Sequence, residues 1–440
     1  MKAVGFFYSW SGQRRLDPYF GALANAFADL GIDLKIVLAN ELLDPAVGMH
    51  SLHPFVEDSR LVKFVEAESP DFIFAVNNAG MTARLGKAVR VPIVKWLVDD
   101  VPHLFSHDGG DPVSGESGET LICYSSTLLE QIQERFPGAR GRSFWVSHGT
   151  DLAGRRFEAE PSSYPISFVG SALDYRPTVR LLQAARRRGA ASQVLAALAA
   201  LRADYVRGSA ELRPGPELEQ ALADTGISPS AFERYVADTV TTQNRMEGLR
   251  RIADLGLHLF GNDLWLDSLS CTTELAERFE YDDRIDSYDK LLGVYARSRI
   301  SVNIPNVQNC AGLAARVFDI MASPSLLITE HHPRSDLYAL FGEDCPVPMY
   351  RDFDHLRELC AFYLDNEEER LRVVKRCNAL VNERFLLRNR LREMLRLAGI
   401  SPPASREARP PEIVRARAFH GIPRRLGPAA RLVARRLRPR

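Results

Sequence analysis

The sequence predicts an α/β protein of two doubly wound domains that face a common cleft, with a basic tail behind them. Three observations carry this. Through the first 150 residues, short and continuously apolar runs alternate with amphipathic stretches, the pattern of parallel strands covered on both faces by helices. A polar, proline-containing stretch at 158–165 interrupts the alternation, and a second series of the same kind follows it. Charge is segregated along the chain. Its 440 residues carry 56 Lys+Arg and 56 Asp+Glu, yet residues 401–440 hold eleven Arg against two Glu, so a tail of net +9 follows a body of net −9.

Taken in order, residues 3–8, 34–39, 72–76, 93–98, 120–124 and 143–146 read as strands of the first sheet. Between the first two, Phe20, Leu23, Ala24, Phe27 and Leu30 share one face of a helix, and Gly31 ends it by accepting a left-handed backbone. Residues 166–169, 257–260, 300–304 and 326–329 read as a second parallel sheet. The long interval inside it is helical, at 178–207, 215–223 and 230–255, the last opened by the cap sequence Ser228-Pro229-Ser230. Helices at 313–322, 355–364 and 367–398 complete the body. The domain boundaries are therefore 1–158, 165–385 with a helical insertion around 178–255, a closing helix at 386–400, and a Pro/Arg-rich tail at 401–440 without a core of its own.

Several classes are excluded. The longest apolar run, 194–201, falls far short of the roughly 20 residues that span a bilayer. The apolar stretch 3–8 after Met1-Lys2 is too short for a signal-peptide core. Six cysteines (Cys123, Cys271, Cys310, Cys345, Cys360 and Cys377) form no CxxC pair, which argues against structural zinc and for reduced thiols in a cytosol.

Residues 299–330 carry the clearest chemistry. The strand at 300–304 runs into a polar loop (305–310), and a helix begins near Gly312. Free N–H groups and the positive dipole end at such a start suit a diphosphate, and Gly312 would let the ligand approach the backbone. Arg316 and Asp319 follow within the first turns, and Asp319 could accept hydrogen bonds from a ribose. An ordinary strand–helix crossover fits the pattern equally well.

Ordered blocks add to this reading. The segment 315–330 (ARVFDIMASPSLLITE) resembles the R-x-F-E-x-x-A-x-G-x-x-x-x-T segment of GT-B glycosyltransferases, nearest the spore-maturation CgeB-like, group 1 branch. Pro70–Ile73, Trp96–His103, Tyr164–Ser171 followed by Arg176, Leu259–Asn262 and Tyr288–Asn303 are similar to further blocks of the same family in the same order. The resemblance covers roughly residues 60–390. It implies two Rossmann-like domains, an N-terminal one for the acceptor and a C-terminal one for a nucleotide-sugar donor. It also implies a donor site of Gly170, Ser171, Arg176, Asn303, Gly312, Leu313, Arg316 and Asp319. Arg176 would pair with the diphosphate, because its planar fork matches phosphate oxygens. Asp319 would contact the ribose, and Arg316 would stabilise the leaving diphosphate or orient Asp319. The chain departs from the family in three places: Ala311 stands where E-x7-E has its first glutamate, Asp319 is the shorter acid at the second, and Ser323-Pro324 replace a glycine. Retention or inversion at the anomeric carbon stays open.

A general base is expected from the N-terminal domain, and Asp99, Asp100 and His103 follow the strand at 93–98. His103 fits by its intrinsic pKa, and a carboxylate fits if burial poises it. Ser11 and Gly12, in the loop after the first strand, could cradle phosphate or acceptor, though a tight turn explains them nearly as well. His148–Asp151 reads as a hinge, and His331-His332 as either cleft or exposed loop residues. His103 and His107 are four apart, but Pro102 and Gly109-Gly110 oppose the helix that would align them, so no metal and no bound cofactor is expected. If residues 426–438 are helical, arginines lie opposite an apolar side, as in an interfacial helix on anionic lipid; a disordered basic extension is the equal alternative, and nucleic acid ranks third.

The expectation is thus a cytoplasmic transferase, peripheral on the inner face of a membrane if the tail binds lipid, moving a sugar from a nucleotide-sugar donor to a hydroxyl of a glycan or lipid-linked acceptor. A non-catalytic binding or structural protein, or a sugar-nucleotide epimerase of the same fold, are the alternatives.

Overall fold

A computed structural model describes residues 1–8, 15–38, 59–77, 79, 83–99, 104, 118–151, 163–204, 216–269, 272–281, 285, 287–307, 311–342, 344–381, 383–404 and 407–414. The first part of the chain runs β1 (Lys2–Phe7), α1 (Pro18–Asp29), β2 (Asp33–Leu38), α2 (Ser59–Glu68), β3 (Phe72–Val76), α3 (Ala83–Ala88), β4 (Ile93–Leu97), β5 (Glu119–Cys123), α4 (Ser126–Arg135) and β6 (Ser143–Trp145). The second begins with β7 (Tyr164–Val169) and a helical insertion of α5 (Arg176–Arg187), α6 (Ala191–Asp204), α7 (Pro216–Thr225) and α8 (Pro229–Ile252). It continues with β8 (Leu257–Phe260), α9 (Leu264–Leu269), α10 (Thr273–Ala276), α11 (Tyr288–Arg297), β9 (Ser298–Asn303), α12 (Ala315–Ala322), β10 (Leu326–Glu330), α13 (Asp336–Phe341) and β11 (Met349–Tyr350). The chain then runs through α14 (Phe353–Asp365), α15 (Glu367–Val381), α16 (Leu387–Leu397) and β12 (Glu412–Val414).

Two parallel sheets result, in the orders β12-β2-β1-β3-β4-β5-β6 and β11-β10-β9-β7-β8. Continuous apolarity has its expected cause: β3 and β4 are buried at every position, with helices on both faces. Within that apolar setting β4 and β5 carry a salt bridge, Lys95 to Glu119 at 2.8 Å, with both side chains almost fully buried. Among the described residues, no helix is long and apolar enough to cross a membrane.

Three local expectations are corrected. The single helix expected over 178–207 is two, because Gly189 turns the chain at φ +74° between α5 and α6. The helix expected over 367–398 breaks at Leu386, which is extended and separates α15 from α16. The helix expected near Gly312 begins only at Ala315. The first part of the tail docks on the first sheet. Glu412–Val414 adds a parallel edge strand to β2, in register with Lys35, Ile36 and Val37, while Arg409 N–H donates to Asp33. The amphipathic stretch 426–438 lies outside the described residues.

The described residues of the two halves meet at the crossover and along the facing ends of the sheets, among other contacts. At the crossover, Thr150 N–H donates to Phe385 O and Leu387 N–H to Thr150 O (2.8 and 3.0 Å), while α16 crosses back to pack on α1. Gly149 is required there, since a Cβ would lie 2.5 Å from Phe385 O. Along the facing ends of the sheets, the Asp336 carboxylate accepts from Ser126 N–H and Oγ–H at the start of α4 (3.2 and 2.5 Å), and Arg334 pairs with Glu130. The Asp336 carboxyl is pushed up to about 6 by burial, against the Ser126 hydrogen bonds.

Candidate functional site

A cavity of about 490 Å³ opens between the two halves. The first half supplies Tyr8, Asp17, Tyr19 and Phe20, from the end of β1 and the start of α1. The second supplies Gly170 and Ser171 after β7, Asn262 after β8, Tyr288 and Tyr295 of α11, and Arg316 and Asp319 of α12. Both sheets contribute through their carboxyl ends, where open parallel sheets place ligands.

The turn after β7 is held from behind. Its successive carbonyls are taken by side chains: Gly170 O by Trp265 Nε1 (2.7 Å), Ser171 O by Arg245 Nη1 (2.6 Å) and Ala172 O by Asn262 Nδ2 (3.0 Å). Gly170 cannot carry a side chain, because a Cβ would stand 2.9 Å from Arg316 Nη1 and 2.8 Å from the Phe168 ring. Arg316 is thereby laid against the turn with Nη1 buried and without a hydrogen-bond partner. Burial disfavours its charge, and Asp319 opposes that only in part. A buried cation with an unused donor is costly unless an anion meets it. The buried hydroxyl of Tyr295 is also without a partner beside the same cavity.

Asp319 is buried and occupied. Tyr288 Oη donates to it, Thr150 at the crossover donates as well, and burial holds its carboxyl at about 7. It lines the cavity and touches the joint between the halves at once. Asp17 caps α1, accepting from Tyr19 N–H at 2.9 Å. Burial raises its carboxyl to about 6, against the hydrogen bonds from Tyr19 and Phe20 that lower it. Beyond the cavity, Asp99 is exposed at the end of β4 and held by Asn77 Nδ2 at 2.7 Å, while Asn77 Oδ1 accepts from Val98 N–H. Asn77 is buried and keeps a left-handed φ of +53°, a conformation costly for a residue with a side chain and usually retained where a group must be aimed.

Of the residues read from sequence, Gly170, Ser171, Arg316 and Asp319 line the cavity together. Arg176 does not. It is exposed and gripped at both ends of its fork by Asp174 (2.7 and 3.0 Å), with Asp267 at 3.7 Å. Asn303 is buried under the sheet end, donating to Thr329 Oγ1, and Leu313 packs in the second core. Gly312 serves an approach of a different kind, since its α-carbon is pressed on Tyr124 and Ser125 of the first half, where a Cβ would meet them at 2.6 and 2.7 Å. His148 is buried against Trp96, Tyr19 and Tyr124, and burial lowers its imidazole to about 3. His332 is buried, with Nδ1 accepting from Arg334 N–H. Asp100, His103, Ser11 and Gly12 lie outside the described residues. Among the described residues no cluster of three His, Cys, Asp or Glu is placed to hold a metal ion.

Residues 242–396 match a family model described as glycosyl transferase-like. No curated protein matches the chain. Among solved structures, sucrose-phosphate synthase from Thermosynechococcus elongatus aligns over 90% of this chain and 98% of its own, at 13% identity and a TM-score of 0.50, a likeness of fold. WaaG, a glycosyltransferase involved in lipopolysaccharide biosynthesis, aligns over 91% and 100% at 10% identity and a TM-score of 0.48. T4 phage BGT, solved with UDP and Mn2+, aligns over 90% and 99% at 9% identity and a TM-score of 0.47.

Proposed function

We propose that this chain, whose residues 242–396 are a glycosyl transferase-like domain, moves a sugar from a nucleotide-sugar donor to a hydroxyl acceptor in the cavity between its halves. The observation that carries this is Arg316, a buried cation with a free donor, set against a rigid glycine turn on the cavity wall. The donor diphosphate lies against Gly170, Ser171 and Arg316. As the glycosidic bond to phosphate breaks, negative charge grows on the leaving oxygen, and Arg316 is already in place to stabilise it without reorganisation. The acceptor enters from the first half, past Asp99. Isothermal titration of UDP, GDP, ADP and dTDP should show at least one binding at one site per chain, with micromolar affinity. No binding by any of the four would sink the reading.

The tail extends this to a membrane-associated acceptor. Strand β12 runs parallel to β2, so the chain leaves it at the same carboxyl edge that carries Tyr8, Asn77 and Asp99. Residues 415–440 hold nine arginines and no acid. We place an anionic lipid surface on the inner face of a membrane at that edge, which brings a glycan or lipid-linked acceptor to the cavity. Truncation after Val414 should abolish co-sedimentation with phosphatidylserine vesicles and leave nucleotide binding intact. Equal partitioning of the two proteins would refute it.

A further inference from the structure

We propose that Asp17 is the proton acceptor of the transfer, and that the reaction therefore inverts the anomeric centre. This rests on the glycosyl-transfer reading above.

The residues lining the cavity include two carboxylates, one from each half. Asp319, from the second half, is committed to Tyr288 and Thr150. Asp17 comes from the acceptor half, and its contacts are the backbone N–H groups of Tyr19 and Phe20 that it caps. A carboxylate has roughly four lone-pair directions, so capping leaves acceptor capacity toward the cavity. The cap also fixes the group, since its carboxylate is held on Tyr19 N–H at the start of α1. Around Asp17 the cavity offers Tyr8, Tyr19, Tyr288, Tyr295, Arg316 and Asp319 as titratable or charged neighbours. Burial holds the tyrosines Tyr8, Tyr19, Tyr288 and Tyr295 neutral at ordinary pH. Burial also poises Asp17 nearer neutrality than an exposed aspartate, as a general base requires.

The step balances as follows. The acceptor O–H gives its proton to a lone pair of the Asp17 carboxylate that capping leaves unused. Its oxygen forms a bond to the anomeric carbon. The bond from that carbon to the diphosphate oxygen breaks, and its electron pair leaves on the diphosphate beside Arg316. With Asp17 rather than a phosphate oxygen of the donor as the base, the acceptor displaces the diphosphate directly, and a direct displacement inverts configuration.

The test uses the full chain, Asp17→Asn and Asp17→Ser. Both replacements cap helices about as well as aspartate, so the melting temperature should stay within about 2 °C. Diphosphate release is followed with UDP-, GDP-, ADP- and dTDP-sugars, with water or glucose as acceptor, alongside UDP titration. Turnover should fall about 1000-fold in both variants with nucleotide affinity within about twofold of the parent. The parent rate should decline as pH drops through about 6, where the carboxylate gains its proton, and that limb should vanish in Asp17→Asn. NMR of the product should show the inverted anomer. Parent-like turnover in both variants, a retained anomer, or a parent that binds nucleotide yet never releases diphosphate would each overturn the assignment. A parent that binds no nucleotide would instead overturn the reading beneath it.

Discussion

Replacing Arg316 with Met should weaken nucleotide-diphosphate binding at least 100-fold, about 3 kcal/mol, while leaving the folded protein as stable as before or more so. The two halves of this result have one cause. In the free protein Nη1 is buried against the Gly170 turn and makes no hydrogen bond, so the fold bears the cost of desolvating a cation and receives little in return. Met fills a similar volume and removes that cost. With diphosphate bound, the same guanidinium gains a charge-assisted hydrogen bond in a site shielded from water, and Met cannot supply it. Calorimetric titration together with urea unfolding separates the two effects. A variant with unchanged affinity, or one that loses stability in step with affinity, would show that Arg316 is structural. Arg176→Met is the matched control. Its fork is held by Asp174 at the surface, and its removal should change affinity less than about threefold.

The second large effect is on stability alone. Lys95→Met should cost about 3–5 kcal/mol, because it leaves the buried Glu119 carboxylate with Arg142 3.9 Å away in place of Lys95 at 2.8 Å. Adding Glu119→Leu should recover most of the loss, since two apolar side chains satisfy each other where one unpaired charge cannot. In the strand register Lys95 faces Leu121, and Glu119 faces Ile93, so the pair bridges β4 and β5 diagonally. Urea unfolding of the single and double variants measures both values. A double variant no better than Lys95→Met would mean that the pair specifies strand register in a way that packing cannot replace.

Much of the fold was legible because burial on both faces leaves a direct mark: the run at 72–76 is wholly apolar, and the run at 93–98 is apolar but for Lys95. Short or interrupted elements leave a weaker one. Met349-Tyr350 and Glu412–Val414 are too brief for periodicity, and pair because an open sheet edge lies beside them. Gly189 sits inside a helical pattern that continues past it, and only its positive φ reveals the turn.

The site was legible by segment rather than by side chain. Arg176 and Arg316 both lie near glycine turns in the resemblance, but distance along the chain does not report which guanidinium an aspartate has already taken. Asp174, two residues away, decided that. Asp17 caps α1, and nothing in the sequence says that this cap lines a cavity. Asn77 escaped notice because its value lies in a backbone angle. Gly312 reads from sequence as a place where a ligand approaches the backbone, and the group packed against it is Tyr124 of the other half.

The return of the chain to its starting sheet has a consequence for biosynthesis. Strand β2 gains its outer neighbour, and α1 its covering helix α16, from residues beyond 386. The half of the protein that is made first is therefore the half that is finished last. Until the ribosome has released residue 414, β2 is an exposed, mostly apolar edge open to any strand that meets it, so the closing segment protects the nascent chain before it serves the folded one.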